Sequence, residues 1–210
     1  MRVHVLVEGP SEAAMLRGWL PRLLPRHTFK IIQHRGKGPV DPLQDPDPRR
    51  QGLLDQLSAK LRVYGRELNP ETDRVLVLVD LDDQDCTDLK SRLLRVLEAC
   101  DPQPAAMFRI AIEETEAFYL GDPAAIRRAF PAAKPYKAHD YVQDSICGTW
   151  EFFSEVIGAK VEDKVGWAEK MAPHLGTKWR GQGSNASPSF RHLCRAFLML
   201  SGEPVDSSRG

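Results

Sequence analysis

Acidic side chains recur in this sequence at the points where short apolar runs stop. Val3 to Val7 ends at Glu8, Arg74 to Val79 runs into Asp80-Leu81-Asp82-Asp83, and Met107 to Ile112 ends at Glu113-Glu114, with Glu116 just beyond. Carboxylates are hard oxygen ligands, and several gathered in one place repel each other unless a cation neutralises them. That repulsion is the physical reason to expect bound Mg²⁺ or Mn²⁺. Asp80 and Asp82 are separated by one residue, so an extended chain continuing past the apolar run would point both the same way. Glu8 and Glu12 stand four apart across a turn and face one cleft if a helix begins at once.

The elements that must hold these groups follow from periodicity. Val3 to Val7 reads as a strand stopped by Gly9-Pro10, with Ser11 as a helix cap and a helical pattern through Ala14, Met15, Trp19, Leu20, Leu23 and Leu24. Phe29 to Gln33 is a second strand. The Gly- and Pro-rich stretch from Arg35 to Arg50 reads as a long loop. Leu53 to Leu68 is an amphipathic helix, and Arg74 to Val79 is a strand whose Val-Leu-Val-Leu-Val run is all-apolar, of the kind covered on both faces in a parallel sheet. A helix over Asp88 to Ala99 and a strand over Met107 to Ile112 complete the alternation.

Strand–helix alternation predicts an α/β fold, a Rossmann-like parallel sheet of about four strands flanked by helices, occupying residues 1–122. In such sheets ligands gather outside the carboxyl ends of the strands, which is where the acids lie. Beyond Glu116 the pattern turns helical: Ala117 to Phe130, Thr149 to Ile157, Val165 to His174 and Phe190 to Leu200. Residues 123–202 therefore read as a helical extension packed on the sheet domain, and 203–210 as a flexible tail.

Lysine plus arginine equal aspartate plus glutamate at 29 each, so any contact with DNA or RNA must come from a local patch. Cys86, Cys100, Cys147 and Cys194 have no zinc or disulfide spacing, and no apolar run approaches a membrane span. The expectation is a cytoplasmic protein with no membrane partner.

The run VEGPSE (Val7 to Glu12) resembles the first motif of the TOPRIM domain of topoisomerases, primases and overcoming-lysogenization-defect nucleases. VLVDLDD (Val77 to Asp83) resembles its Asp-x-Asp motif. EETEAFYLGD (Glu113 to Asp122) and SPSFRHL (Ser187 to Leu193) are similar to signatures of a small stand-alone TOPRIM-like bacterial family of unknown function, often encoded beside AAA-type ATPases. The resemblance implies a Mg²⁺- or Mn²⁺-dependent nuclease, with an ATPase as partner in bacterial defence. Glu8, Glu12, Asp80 and Asp82 fill the motif positions, Glu114 and Glu116 match the Glu-x-Glu of the narrower family, and Lys164 lies near a position that is often basic there. It implies catalytic roles for Glu8, Glu12, Asp80, Asp82 and Lys164, and metal ligation by Glu8, Asp80, Asp82, Glu114 and Glu116. No topoisomerase-type tyrosine, primase zinc module or Walker A pattern is present.

A plainer reading stands beside each feature. Glu8 to Glu12 can be a turn with a capped helix behind it, the acids after Asp80 can cap the following helix, and Glu114 and Glu116 can be solvated first-turn acids. Lys37, between Gly36 and Gly38, suits a phosphate, and Lys178 and Arg180, with Arg191, Arg195 and Trp179, suit a nucleic-acid track; scattered surface charge is the alternative. The rival to an enzyme is a non-catalytic TOPRIM-like module that binds a protein partner.

Overall fold

A computed structural model describes residues 1–38, 49, 51–136, 140–145 and 148–205. Four strands, β1 (Arg2–Val7), β2 (Thr28–Gln33), β3 (Asp73–Asp80) and β4 (Ala106–Ala111), form a parallel sheet in the order β2-β1-β3-β4. They are joined by α1 (Pro10–Leu23), α2 (Leu53–Glu67) and α3 (Cys86–Glu98), and followed by α4 (Glu116–Leu120), α5 (Pro123–Ala129), α6 (Thr149–Ile157), α7 (Lys164–Met171) and α8 (Pro188–Leu200). The expected Rossmann-like α/β architecture is the observed one.

The two central strands are apolar on both faces because both faces are covered. Strand side chains alternate, so Val3, Val5, Val7, Leu76 and Leu78 join one core with α1, α6, α7 and α8. Leu6, Val75, Val77 and Val79 join the other core with α2 and α3. Each of these strand residues is fully buried; truncating Leu78 to alanine would cost about 2–5 kcal/mol through lost transfer energy and the cavity left behind.

The chain leaves β1 toward β2 with α1 on one face, then returns past β1 to β3 with α2 on the other. The winding therefore reverses between β1 and β3, and at such a switch point the loops at the carboxyl ends part to opposite faces of the sheet. Glu8 follows one of those strands and Asp80 ends the other.

The later helices are built against α1. Gly18 of α1 has no side chain where a Cβ would come within 2.7 Å of the Ala172 Cβ, so α1 and the end of α7 pack backbone to backbone. Trp19 Nε1 donates to the Gly176 carbonyl at 2.9 Å, and Arg22 donates to the Leu175 carbonyl at 2.8 Å.

The helix expected over Ala117 to Phe130 is two helices. Asp122 accepts the Ala125 N–H at 2.9 Å and starts α5 afresh, with Pro123 at its first turn, where a missing N–H costs nothing. Of the loop expected over residues 35–50, positions 39–48 and 50 lie outside the described residues. The same holds for 137–139 and 146–147, which include His139 and Cys147, and for 206–210 of the expected tail. Among the described residues, no helix is long and apolar enough to cross a membrane.

Candidate metal centre

The turn after β1 sets the first two carboxylates. Glu12, at the third position of α1, folds back so that its Oε2 accepts the Gly9 N–H at 2.8 Å while its Oε1 accepts the Ser11 hydroxyl at 2.8 Å. The plainer reading holds in part: Glu12 supplies the return half of a capping box, but the N-cap is Gly9, and Ser11, expected as the cap, lies inside the first turn because the helix already starts at Pro10. Glu12 is also buried, 6 % exposed, and its charge reaches Glu8, Asp80, Glu116 and Tyr119. Glu8 bridges the switch point, its Oε1 accepting the Asp80 N–H at 2.8 Å. Burial lifts Glu8 to a pKa of about 7, against the opposing pull of that N–H and of the Lys37 cation.

Asp80 closes β3 with its Oδ1 shielded from solvent and without a hydrogen-bond partner. Its pKa is pushed well above the ordinary carboxylate range by burial first, then by the charges of Glu12, Glu8, Glu116 and Glu114. The chain does not stay extended beyond it. Asp82 has φ 53°, in the left-handed region, so the alternation argument for Asp80 and Asp82 does not hold. The Asp82 carboxylate is half-exposed and pairs with Lys37 at 2.9 Å.

Lys37 reaches this place because Gly36, at φ 80°, turns the chain after β2 and donates its N–H to the Glu8 carbonyl at 2.9 Å. The Lys37 ammonium also donates to the carbonyls of Asp80 and Leu81. It is a clasp on the end of β3, its side chain only 9 % exposed.

The glutamates after β4 divide by a backbone reversal. Glu113 has φ 60° and accepts the N–H groups of Gly148 and Thr149, at 2.8 and 3.1 Å, anchoring the start of α6. Its carbonyl accepts the Asp82 N–H at 3.0 Å, so the two left-handed residues brace each other. Glu114 receives Lys164 Nζ on both oxygens at 3.2 Å, and the same ammonium lies 5.1 Å from the centre of the Trp150 ring. Glu116 turns inward at the start of α4, 2 % exposed, with its Oε1 unpartnered. Burial raises it to about 7, opposed by Lys164 and reinforced by Glu114 and Glu12. Burial lowers the Lys164 pKa, but Glu116 and Glu114 outweigh it and the net shift is upward.

Sequence reasoning missed Tyr119. It is fully buried, its hydroxyl has no partner, and its pKa is raised well above normal by burial and by Glu116, Glu12 and Asp80. The available signal was the three-residue spacing from Glu116, which puts both on one helical face. Lys178 and Arg180 are not brought to this cluster; they flank Trp179 in the segment before α8.

The arrangement is a buried field of negative charge partly answered by two lysines. Among the described residues, no three His, Cys, Asp or Glu side chains are grouped so as to hold a metal ion by themselves. The donor set still fits a hard divalent cation. Asp80 Oδ1 and Glu116 Oε1 are buried acceptors that nothing in the protein satisfies, and Mg²⁺ commonly takes one or two carboxylates, filling its other positions with water and phosphate oxygens.

A family model matches residues 7–197, nearly the whole chain. The chain belongs to the family described as Domain of unknown function (DUF4276). In this DUF4276 chain the matched span contains all six carboxylates of the cluster and both lysines that answer them. Comparison with curated proteins and with solved structures found no match.

Proposed function

We propose that this DUF4276 protein is a Mg²⁺- or Mn²⁺-dependent phosphodiester hydrolase, a nuclease acting on DNA or RNA. The observation that carries the reading is the pair of buried, unpartnered oxygens, Asp80 Oδ1 and Glu116 Oε1, inside a cluster of like charges. Buried carboxylate oxygens are normally satisfied, and an exception among crowded acids asks for a ligand. Glu8 stands beside them on the β1–β3 side, while Asp82 and Glu114 are held in ion pairs by Lys37 and Lys164.

A bound divalent cation would supply an activated water and charge stabilisation at a phosphoryl oxygen. The residues of the chain do the rest. Asp80 and Glu116 offer the inner oxygens, and Glu12 holds the β1–α1 turn that sets Glu8. Glu8 is anchored through one oxygen and has a pKa near neutrality, so it can accept a proton from an attacking water. Lys164, held between Glu114 and the Trp150 ring, would answer a phosphate charge. The Lys37 clasp keeps the end of β3 in position.

The TOPRIM-like motifs support the same chemistry and add a separately encoded AAA-type ATPase as partner. Free thiols at Cys86, Cys100 and Cys194 support action in a reducing cytoplasm. The test is cleavage of labelled DNA and RNA with Mn²⁺, with and without such an ATPase. Glu8→Gln and Asp80→Asn proteins should fold normally and lose cleavage; full cleavage by either variant would overturn the reading.

A further inference from the structure

Away from the carboxylates, positive charge collects on the outer face of α8. Phe190, Leu193, Cys194 and Phe197 bury one side of this helix, which leaves Arg191, His192 and Arg195 on the other. Arg191 and Arg195 are one turn apart, a like-charge spacing that costs a helix a few tenths of a kcal/mol. Arg109 adds to the crowding from β4: it donates to the His192 carbonyl at 3.0 Å, and burial and the Arg195 charge lower its pKa. Trp179 lies against this face, with the Arg180 guanidinium 4.5 Å and the Arg195 guanidinium 5.7 Å from its ring centre. Trp179, Arg180, Pro188, Arg191, His192 and Arg195 line a cavity of about 190 Å³, and no acidic side chain is among these lining residues. The lining of this pocket carries one sign of charge, which suits an anionic ligand.

A second and larger cavity, of about 500 Å³, shares Pro188 and His192 with the first. It follows β4, the edge strand of the sheet, between α3 and α8, with Leu94, Met107, Phe108 and Ile110 as apolar walls. At its far end are Cys86 and Ile112. Ile112 immediately precedes Glu113-Glu114, and Cys86 follows the acidic turn after β3. The furrow therefore runs from a basic pocket with an aromatic ring to the acidic end of the sheet. Its only acid, Asp144, is occupied by the Ser187 hydroxyl at 2.7 Å and by the Ser189 N–H.

We infer that this face holds a single-stranded nucleic acid, with phosphates on Arg191 and Arg195, a base against Trp179, and the strand running along β4 toward Glu114 and Glu116. A ring beside cations is the combination that binds unpaired bases without regard to sequence, since stacking needs a base face that a duplex keeps covered. The inference names the substrate class for the proposed nuclease and rests on that reading only for where the strand leads.

The test is fluorescence anisotropy in EDTA, where no cleavage interferes, with end-labelled DNA and RNA strands of ~12 nucleotides, a length within the range of known single-strand sites. The wild-type protein should bind without any metal. The double variant Arg191→Gln/Arg195→Gln should bind about tenfold or more weakly, and its log–log salt slope should be smaller by about 1.4, the share of two phosphates on a single strand. Trp179→Ala should weaken binding and Trp179→Phe should restore most of it, which separates stacking from a packing defect. Tighter binding of either polymer supports the inference and identifies the sugar. Unchanged affinity in the double variant would overturn it, as would equal binding of the matching duplex. Displacement by an oligo-glutamate peptide as effective as that by a nucleic acid would overturn it in favour of an acidic protein segment. Strand binding without any metal-dependent cleavage would leave this inference standing and remove the nuclease reading; cleavage unaffected by the arginine changes would do the reverse.

Discussion

Strand β3 begins and ends with an aspartate, and the two ends are treated in opposite ways. Asp73, 3 % exposed, accepts hydrogen bonds from Arg2, His4 and Thr72, and the Arg2 hydrogen bond, the largest cause, holds its carboxyl well below the usual range. Asp80, seven residues along the same strand, keeps a buried oxygen with no donor, and its surroundings push its pKa the other way. Both sites are local choices of sequence, since Arg2 and His4 on β1 serve one end while Glu8 and Glu12 crowd the other. A carboxylate that only ties strands together is given its donors. One left without them, among four other acids, is the one that the proposed cation would meet.

The sharpest way to break that contrast is to remove one carboxylate at a time. Asp80→Asn should reduce cleavage on the order of a hundredfold or more, because an amide is a poor ligand for a hard cation, and circular dichroism should show the fold intact. Asp73→Ala should leave the chemistry alone and cost about 2–3 kcal/mol in chemical denaturation, the scale of losing charged hydrogen bonds. If Asp73→Ala cost nothing while Asp80→Asn unfolded the protein, the assignment of roles would be reversed.

A smaller effect follows from pH. Glu8 and Glu116 have folded pKa values raised to about 7, so the folded state holds protons there that the unfolded chain has released. The stability they contribute is present below the ordinary glutamate pKa and is lost as pH rises through about 7. Asp73 acts in the opposite sense: its folded pKa is lowered, so its contribution is present above the ordinary aspartate pKa and is lost as pH falls through the folded value. Thermal unfolding in EDTA should show the melting temperature dropping by a few degrees between about pH 5 and pH 8. The drop should shrink in Glu116→Gln and persist in Asp73→Ala.

Much of this arrangement was legible in the sequence because it depends on period and position. The all-apolar run before Asp80 announced a strand buried on both faces, and the acids at strand ends announced the carboxyl edge of a parallel sheet. What escaped is set by torsion angles and long-range partners. The left-handed turns at Asp82 and Glu113 sent neighbouring acids in different directions, so adjacency in sequence did not become adjacency in space. Glu113 went to the start of α6, Glu114 to Lys164, and only Glu116 turned inward. Lys37, which reads as a phosphate contact among glycines, also clasps the end of β3 because a turn after β2 carries it there. The break in the helix after Leu120 was written in Asp122-Pro123 but was hidden by the apolar period on either side. Tyr119 looks like any core aromatic until its hydroxyl is seen without a partner beside the carboxylates.

The central claim is that Asp80 and its neighbours await a divalent cation, and calorimetric titration with Mn²⁺ at about pH 7.5, above the pKa values of about 7 of Glu8 and Glu116, tests it most directly. Saturable binding to the wild-type protein, retained in Asp73→Asn and lost in Asp80→Asn, is the expected result. Absence of binding by the wild type, with the fold intact and a nucleic-acid strand supplied to complete the ligand set, would contradict the account.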